Sequence, residues 1–187
     1  ALYNTRLGLL ARLEDNDALE AQLRDMVTRF PEDNAIKQTL IRFYMSRDEA
    51  DKAESFLREI SDPNAEDPGL YMSLLRFIGE VRGADAMMAE LDRVIPEATS
   101  PALYQAMRAQ MVFQQGDRTG AIAEKEKLLE GAEASEQTGR IKVSLAQMLL
   151  QTGNEVGARR LVEEVLTEDA GQIDALIMRA AWQVDGD

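Results

Sequence analysis

Gly116-Asp117-Arg118-Thr119-Gly120-Ala121 returns almost residue for residue as Gly153-Asn154-Glu155-Val156-Gly157-Ala158. In each copy a glycine follows an apolar helical run and supplies the left-handed backbone on which helices commonly end. The Asp or Asn beside it can cap the start of the next helix. The alanine that closes each copy opens a face narrow enough for two helices to approach closely. The stretch reads as a helix–turn–helix joint. It lacks the Lys-Ser/Thr of a phosphate-binding loop and follows no strand, so it is not a nucleotide cradle.

The joint works as a ruler. The equivalent positions past successive turns are Ala53, Met87, Ala121 and Ala158, at separations of 34, 34 and 37 residues. The extra length falls in the soft Gly131–Thr138 connection, where added residues cost little loop entropy. A period of this size belongs to repeat arrays, in which each unit buries its apolar face on the next.

Between the turns, apolar residues fall at helical spacing. Leu7, Leu9, Leu10 and Leu13 mark a helix over 1–14, and Leu19, Leu23, Met26 and Val27 a second over 18–30. Pro31 closes it, because proline cannot continue a helix. Leu40 and Tyr44, then Phe56 and Leu57, then Leu74 and Ile78, then Leu91 and Val94, carry the next four. Ser100 is expected to cap a seventh helix with Pro101 in its first position. Met107 and Val112, Leu128 and Leu129, Leu145 and Leu149, Leu161 and Val165, and Ile177 and Trp182 carry the rest. Ten or eleven short amphipathic helices result, each too short to be stable alone in water.

These features resemble the tetratricopeptide repeat (TPR) family, in a bacterial-type array. Residues 139–170 carry the pattern best, with Leu145-Ala146 and Leu149 before the turn and Ala158, Val162 and Val165 after it. The unit from Ala102 keeps Ala109, Gly116 and Ala121, but has Arg108 and Lys125 where large apolar residues are usual. The unit from Pro68 departs most: Met87 stands at the small-residue position and is expected to loosen that helix pair. The resemblance implies an all-α fold, a right-handed α-solenoid of antiparallel helix pairs. A single repeat domain over 1–187 would hold about five units, 1–33, 34–67, 68–101, 102–138 and 139–171, and a terminal helix, 172–187. The closing Gly186-Asp187 matches the start of a further turn, so a segment of a longer protein is expected, with Leu176, Ile177 and Trp182 uncovered on one face.

Composition narrows the function. The net charge is −13, from 34 acidic and 21 basic residues, which disfavours nucleic acid or an anionic membrane as partner. No apolar run approaches the length of a membrane span. The chain contains no cysteine and no histidine, so the commonest nucleophiles, proton shuttles and transition-metal ligands are missing. Carboxylate runs such as Glu14-Asp15-Asn16-Asp17 lack the spacing of a Ca²⁺ loop. The expectation is a non-catalytic protein with no cofactor and no metal. Its compartment is open: bacterial cytoplasm and periplasm both suit a cysteine-free domain.

A binding face follows from the ruler. Six residues before each turn stand Arg42, Arg76, Gln110 and Gln147, a ladder on the first helix of each pair. In the family that the chain resembles, these helices line a concave groove. Beside the ladder lie Gln38, Met45 and Met72, and further along Phe113, Gln114, Val143 and Gln151. Amide and guanidinium donors over an apolar shelf suit an extended peptide or a partner helix. The competing expectation for the two arginines is pairing with nearby acids such as Glu49 or Glu80. The expected function is a protein–protein interaction scaffold that captures a peptide or protein partner. The alternative is self-association through the repeat ends or the convex face, within a larger, envelope-associated protein.

Overall fold

The computed structural model describes residues 2–184. Among these residues are eleven α-helices, one 3-10 turn and no strand. The helices are α1 (Leu2–Arg12), α2 (Asn16–Arg29), α3 (Asn34–Met45), α4 (Ala50–Ile60), α5 (Gly69–Val81), α6 (Ala84–Val94), α7 (Ala102–Gln114), α8 (Arg118–Leu129), α9 (Glu136–Gln151), α10 (Glu155–Glu168) and α11 (Ile173–Val184). The even-numbered helices up to α10 start at residues 16, 50, 84, 118 and 155, which keeps the spacing of the ruler. The Gly186-Asp187 turn read from the sequence lies outside the described residues.

The joint is built as its residues dictate. Gly116 and Gly153 have φ of 112° and 83°, and an added Cβ at either would meet nothing within 4 Å. Glycine is required there by backbone conformation alone. Asp117 and Asn154 cap α8 and α10, their side-chain oxygens accepting from the N–H groups of Gly120 and Gly157 at 2.9 and 3.0 Å. A Cβ at Gly120 would lie 2.4 Å from the Asp117 carboxylate, so the second glycine makes room for the cap. In the second repeat the left-handed position is held by Asp48, at φ 59°.

The chain divides into two compact units, residues 1–83 and 84–187. The division falls at the Arg82-Gly83 turn, in the repeat whose sequence is least regular. The first unit holds α1 to α5, around Leu23, Leu40, Tyr44, Ala53, Phe56 and Leu57. Tyr44 is fully buried, and its hydroxyl donates to Glu20 at 2.8 Å. Lys52 and Arg24 reach the same carboxylate at 2.9 and 3.3 Å, so one acid ties α2, α3 and α4 together. Burial pushes the Glu20 carboxyl up, but hydrogen bonds from Lys52, Tyr44 and Arg24 outweigh it and hold the group below its usual range.

The second unit holds α6 to α11. Ala121, Ala146 and Ala158 have no exposed surface, as close helix contact requires. Val143, Leu145, Leu149, Val162, Val165 and Ala175 form its main cluster, with Trp182 packed partly against it. The Arg159 guanidinium lies over the Trp182 ring, 5.1 Å from its centre.

Two local expectations are corrected. Ser100 does not cap α7, which starts at Ala102 with Pro101 in the cap position and no side-chain cap bond. The α-helix α6 stops at Val94, just before Pro96, and Ile95–Glu97 follows as one 3-10 turn, a tighter helix that tolerates proline near its start. The Gly131–Thr138 connection is shorter than it reads. Ser135 and Thr138 form a reciprocal capping box, and α9 begins at Glu136.

The left-handed positions give a direct test. Gly116→Ala and Gly153→Ala should each destabilise the chain by about 1–2 kcal/mol, the cost of placing an L-residue in this conformation. Asp48→Gly should stabilise it by several tenths to about 1 kcal/mol. Urea-denaturation midpoints measure both, and equal midpoints for all three variants would contradict the turn assignment.

Candidate functional site

In the first unit, α3 and α5 present the predicted ladder side by side. Gln38, Arg42 and Met45 are exposed on successive turns of α3, and Arg76 is exposed on α5 with Met72 half-buried beside it. A cleft of about 370 Å³ separates Lys37, Gln38 and Ile41 of α3 from Gly69, Leu70 and Ser73 of α5. Leu57 and Ile60 of α4 form its floor. Arg42 directly follows Ile41 on α3, and Arg76 lies roughly one helical turn beyond Ser73 on α5.

Neither arginine is neutralised. Arg42 donates only to Thr39 Oγ1, at 3.2 Å, and no ion pair is formed by Arg42 or Arg76 among the described residues. Glu49, the acid expected beside Arg42, is instead held by Arg47 and Lys52 at 3.3 and 3.2 Å. Arg82, near Arg76 in sequence, is engaged elsewhere, with Glu54 at 3.0 Å and with Asp51.

The second unit places its ladder residues differently. Gln114, Gln147 and Gln151 are exposed. Phe113 and Val143 are not available to a ligand, being 3% and 4% exposed, which corrects the expectation that both line a groove. Phe113 packs on Ala121 and Met148, and Val143 belongs to the main cluster with Ala175. Gln110 faces a polar contact inside the unit: its Oε1 accepts from Lys125 Nζ at 3.1 Å and from Ser144 Oγ at 3.2 Å.

Lys125 is the more deeply buried of two buried charges in this unit, 1% exposed against 7% for Glu90, and Ser144 is its other hydrogen-bond partner. The lysine lies on α8 and reaches α7 and α9, and no carboxylate pairs with it among the described residues. Burial lowers its pKa from 10.5 to about 8. The sequence marks this residue only as a lysine where an apolar side chain is usual. Its partners, Gln110 and Ser144, are fixed by helix packing. Arg108, the other such anomaly, is half-buried between Asp92 at 2.7 Å and Glu124 at 3.4 Å, and links α6, α7 and α8.

Among the described residues no group of three or more Asp or Glu side chains could hold a metal ion. No helix among them is long and apolar enough to cross a membrane.

No family model matches the chain, and no curated protein matches its sequence. Solved structures do match its fold. TTC0263, a thermophilic TPR protein of Thermus thermophilus, is 21% identical with a TM-score of 0.56, covering 96% of both chains. PilW, a widely conserved type IV pilus biogenesis factor, is 18% identical with a TM-score of 0.53, over 94% of this chain and 80% of its own. YrrB, a TPR protein with an unusual peptide-binding site, is 10% identical with a TM-score of 0.52, over 95% and 90%. At these identities the likeness is one of fold. The chain is an all-α repeat array with the TPR fold.

The buried lysine gives the chain an alkaline stability signature. Its folded pKa lies below its unfolded one, so the unfolded state binds the extra proton between pH 8 and 10.5, and stability rises with pH across that window. Tyr44 acts in the opposite sense at higher pH. Burial and a hydrogen bond to Glu20 push its phenol up from 10.0 to about 12, and its contribution is lost as pH rises through that range. Denaturation midpoints should therefore climb from pH 8 to 10 and then fall. Lys125→Met should be more stable than the parent at pH 7 by about 2 kcal/mol and lose the climb. A parent profile that is flat or falling from pH 8 to 10 would refute the assignment.

Proposed function

We propose that the chain is a non-catalytic protein-interaction scaffold, and that the α3–α5 shelf of its first unit captures an extended, carboxylate-bearing segment of a partner protein. The observation that carries this reading is the pair Arg42 and Arg76. Both are exposed and without an ion-pair partner among the described residues, in a chain with 34 acidic side chains. A guanidinium binds a carboxylate through two parallel hydrogen bonds, which fixes orientation as well as charge. Met45 and Met72 add adaptable apolar contact, and Gln38 adds an amide that can pair with peptide backbone.

The fold supports the same reading. YrrB is a TPR protein with a peptide-binding site, and a surface on the first helices of successive pairs is one that a stacked array presents repeatedly. An extended strand rises about 3.3 Å per residue, so a Glu-x-x-Glu segment offers two carboxylates on the order of 10 Å apart, with apolar residues between them to meet Met45 and Met72.

A fluorescein-labelled peptide carrying Glu-x-x-Glu flanked by leucines tests this by polarisation. Arg42→Glu or Arg76→Glu should weaken binding about tenfold or more, the scale of a lost charge-assisted hydrogen bond. Gln147→Glu, in the other unit, should leave it unchanged. Equal affinity across the arginine variants would sink the shelf as the site.

A further inference from the structure

Given the shelf as the site of capture, we infer that the cleft between α3 and α5 is its anchor pocket, taking one leucine-sized aliphatic side chain of the same segment whose carboxylates Arg42 and Arg76 hold. The cleft requires one residue type at one place in the partner, which the two arginines alone do not impose.

The floor is aliphatic and comes from three helices. Ile41 of α3, Leu57 and Ile60 of α4 and Leu70 of α5 all line the cleft. Leu57 is closed to solvent, while Ile41, Ile60 and Leu70 are half-buried. Gly69, the first residue of α5, brings no side chain to the lining. At about 370 Å³ the space is near the lower end of the roughly 300–1,000 Å³ of ligand pockets, enough for one large side chain.

The same positions are mostly closed in later repeats. Counted from the turn, Ile41 matches Leu75, Ala109 and Ala146, all buried. Ile60 matches Val94 and Val165, both buried, and Leu128, half-buried. Where those residues are covered by their own chain, Ile41 and Ile60 keep aliphatic surface in water. An aliphatic side chain from outside buries that surface together with its own.

The rim decides against a charged occupant. Lys37, whose amine donates to Asn34 Oδ1 at 3.3 Å, shares the lining with Glu32 and Asp67. None of the three forms an ion pair among the described residues. With charges of both signs around it, the mouth favours neither an anion nor a cation, and a side chain without charge enters at the least desolvation cost. Gln38 and Ser73, both exposed, offer an amide and a hydroxyl oxygen to the backbone that carries the anchor. Arg42 and Arg76 stand next to the lining residues Ile41 and Ser73 on their helices, so one segment can reach the cleft and both guanidinium groups. One buried side chain then supplies most of the affinity, and the charged contacts around it set register.

Fluorescence polarisation with the full chain and a labelled Leu-Glu-x-x-Glu-Leu peptide tests this. One cleft takes one leucine, so replacing one of the two by alanine should weaken binding about tenfold, and replacing the other should change it little. Ser73→Trp, at an exposed position of the rim, should fill the cleft, weaken the parent peptide by about the same factor and abolish the difference between the two alanine peptides. Ile60→Ala should enlarge the floor and raise the affinity of a phenylalanine peptide relative to the leucine one. Both variants should keep the parent's circular dichroism. In methyl-labelled protein, Ile41 and Ile60 should show nuclear Overhauser contacts to the anchoring leucine. Alanine peptides that both bind as tightly as the parent, while Arg42→Glu still weakens all three, overturn the anchor and leave the shelf standing. Arginine variants without effect on peptides that still depend on one leucine overturn the charge reading of the shelf and retain the cleft. Absence of binding by every peptide overturns both.

Discussion

Close helix contact at residues without bulk is the constraint on which this chain depends. Its helices are 11 to 16 residues long, all but α9 within or below the range of about 12–15 residues in which an isolated helix is marginal in water. Each must bury its apolar stripe on a neighbour, and the backbones can approach only where the side chain between them is small. Ala53, Ala121 and Ala158 occupy that position and have no exposed surface. Where Met87 replaces alanine, the residue remains partly exposed. The turn serves the same constraint. A left-handed residue followed by a capping Asp or Asn reverses the chain within a few residues, so the second helix starts opposite the first.

This is why the period was legible in the sequence. The turn chemistry is local: Gly116 and Asp117 need only each other and the next few residues to act. Helix number, helix order and the starts of the even-numbered helices follow from it. What the sequence concealed was non-local or depended on helical phase. The Ser135–Thr138 box lies in a stretch rich in Gly, Ala and Glu, where the polar residues read as a connection. Phe113 and Val143 lie near the edge of the buried stripe, where a small error in phase moves a side chain from surface to core. Gln110 was counted correctly onto its helix. Its orientation, however, is set by Lys125 and Ser144, which lie 15 and 34 residues away.

The candidate site was legible in half. Arg42 and Arg76 stood out because they break the acidic trend of the chain, and what sequence cannot supply is the fate of each guanidinium. Carboxylates outnumber cations 34 to 21, so an arginine here has acids available in excess. Arg24, Arg29, Arg58 and Arg82 all take them. An exposed arginine left without one is therefore set apart by position and not by scarcity. Glu49, the acid expected beside Arg42, is engaged by Arg47 and Lys52, whereas Glu80, one turn beyond Arg76, is exposed and forms no ion pair with it among the described residues.

The net charge of −13 bears on every contact the chain can make. Beyond about 8 Å at physiological ionic strength, exposed charges are largely screened, and the acidic excess then neither steers nor repels a partner strongly. Inside that distance a carboxylate-bearing surface meets repulsion over most of this molecule. It meets attraction only where unpaired guanidinium groups stand beside exposed apolar side chains. Apolar burial supplies free energy without direction, and the arginines supply direction with little net free energy at an exposed site. Selectivity in such a surface comes from requiring both at once. An acidic segment without apolar residues gains too little, and an apolar segment without acids is not held in register.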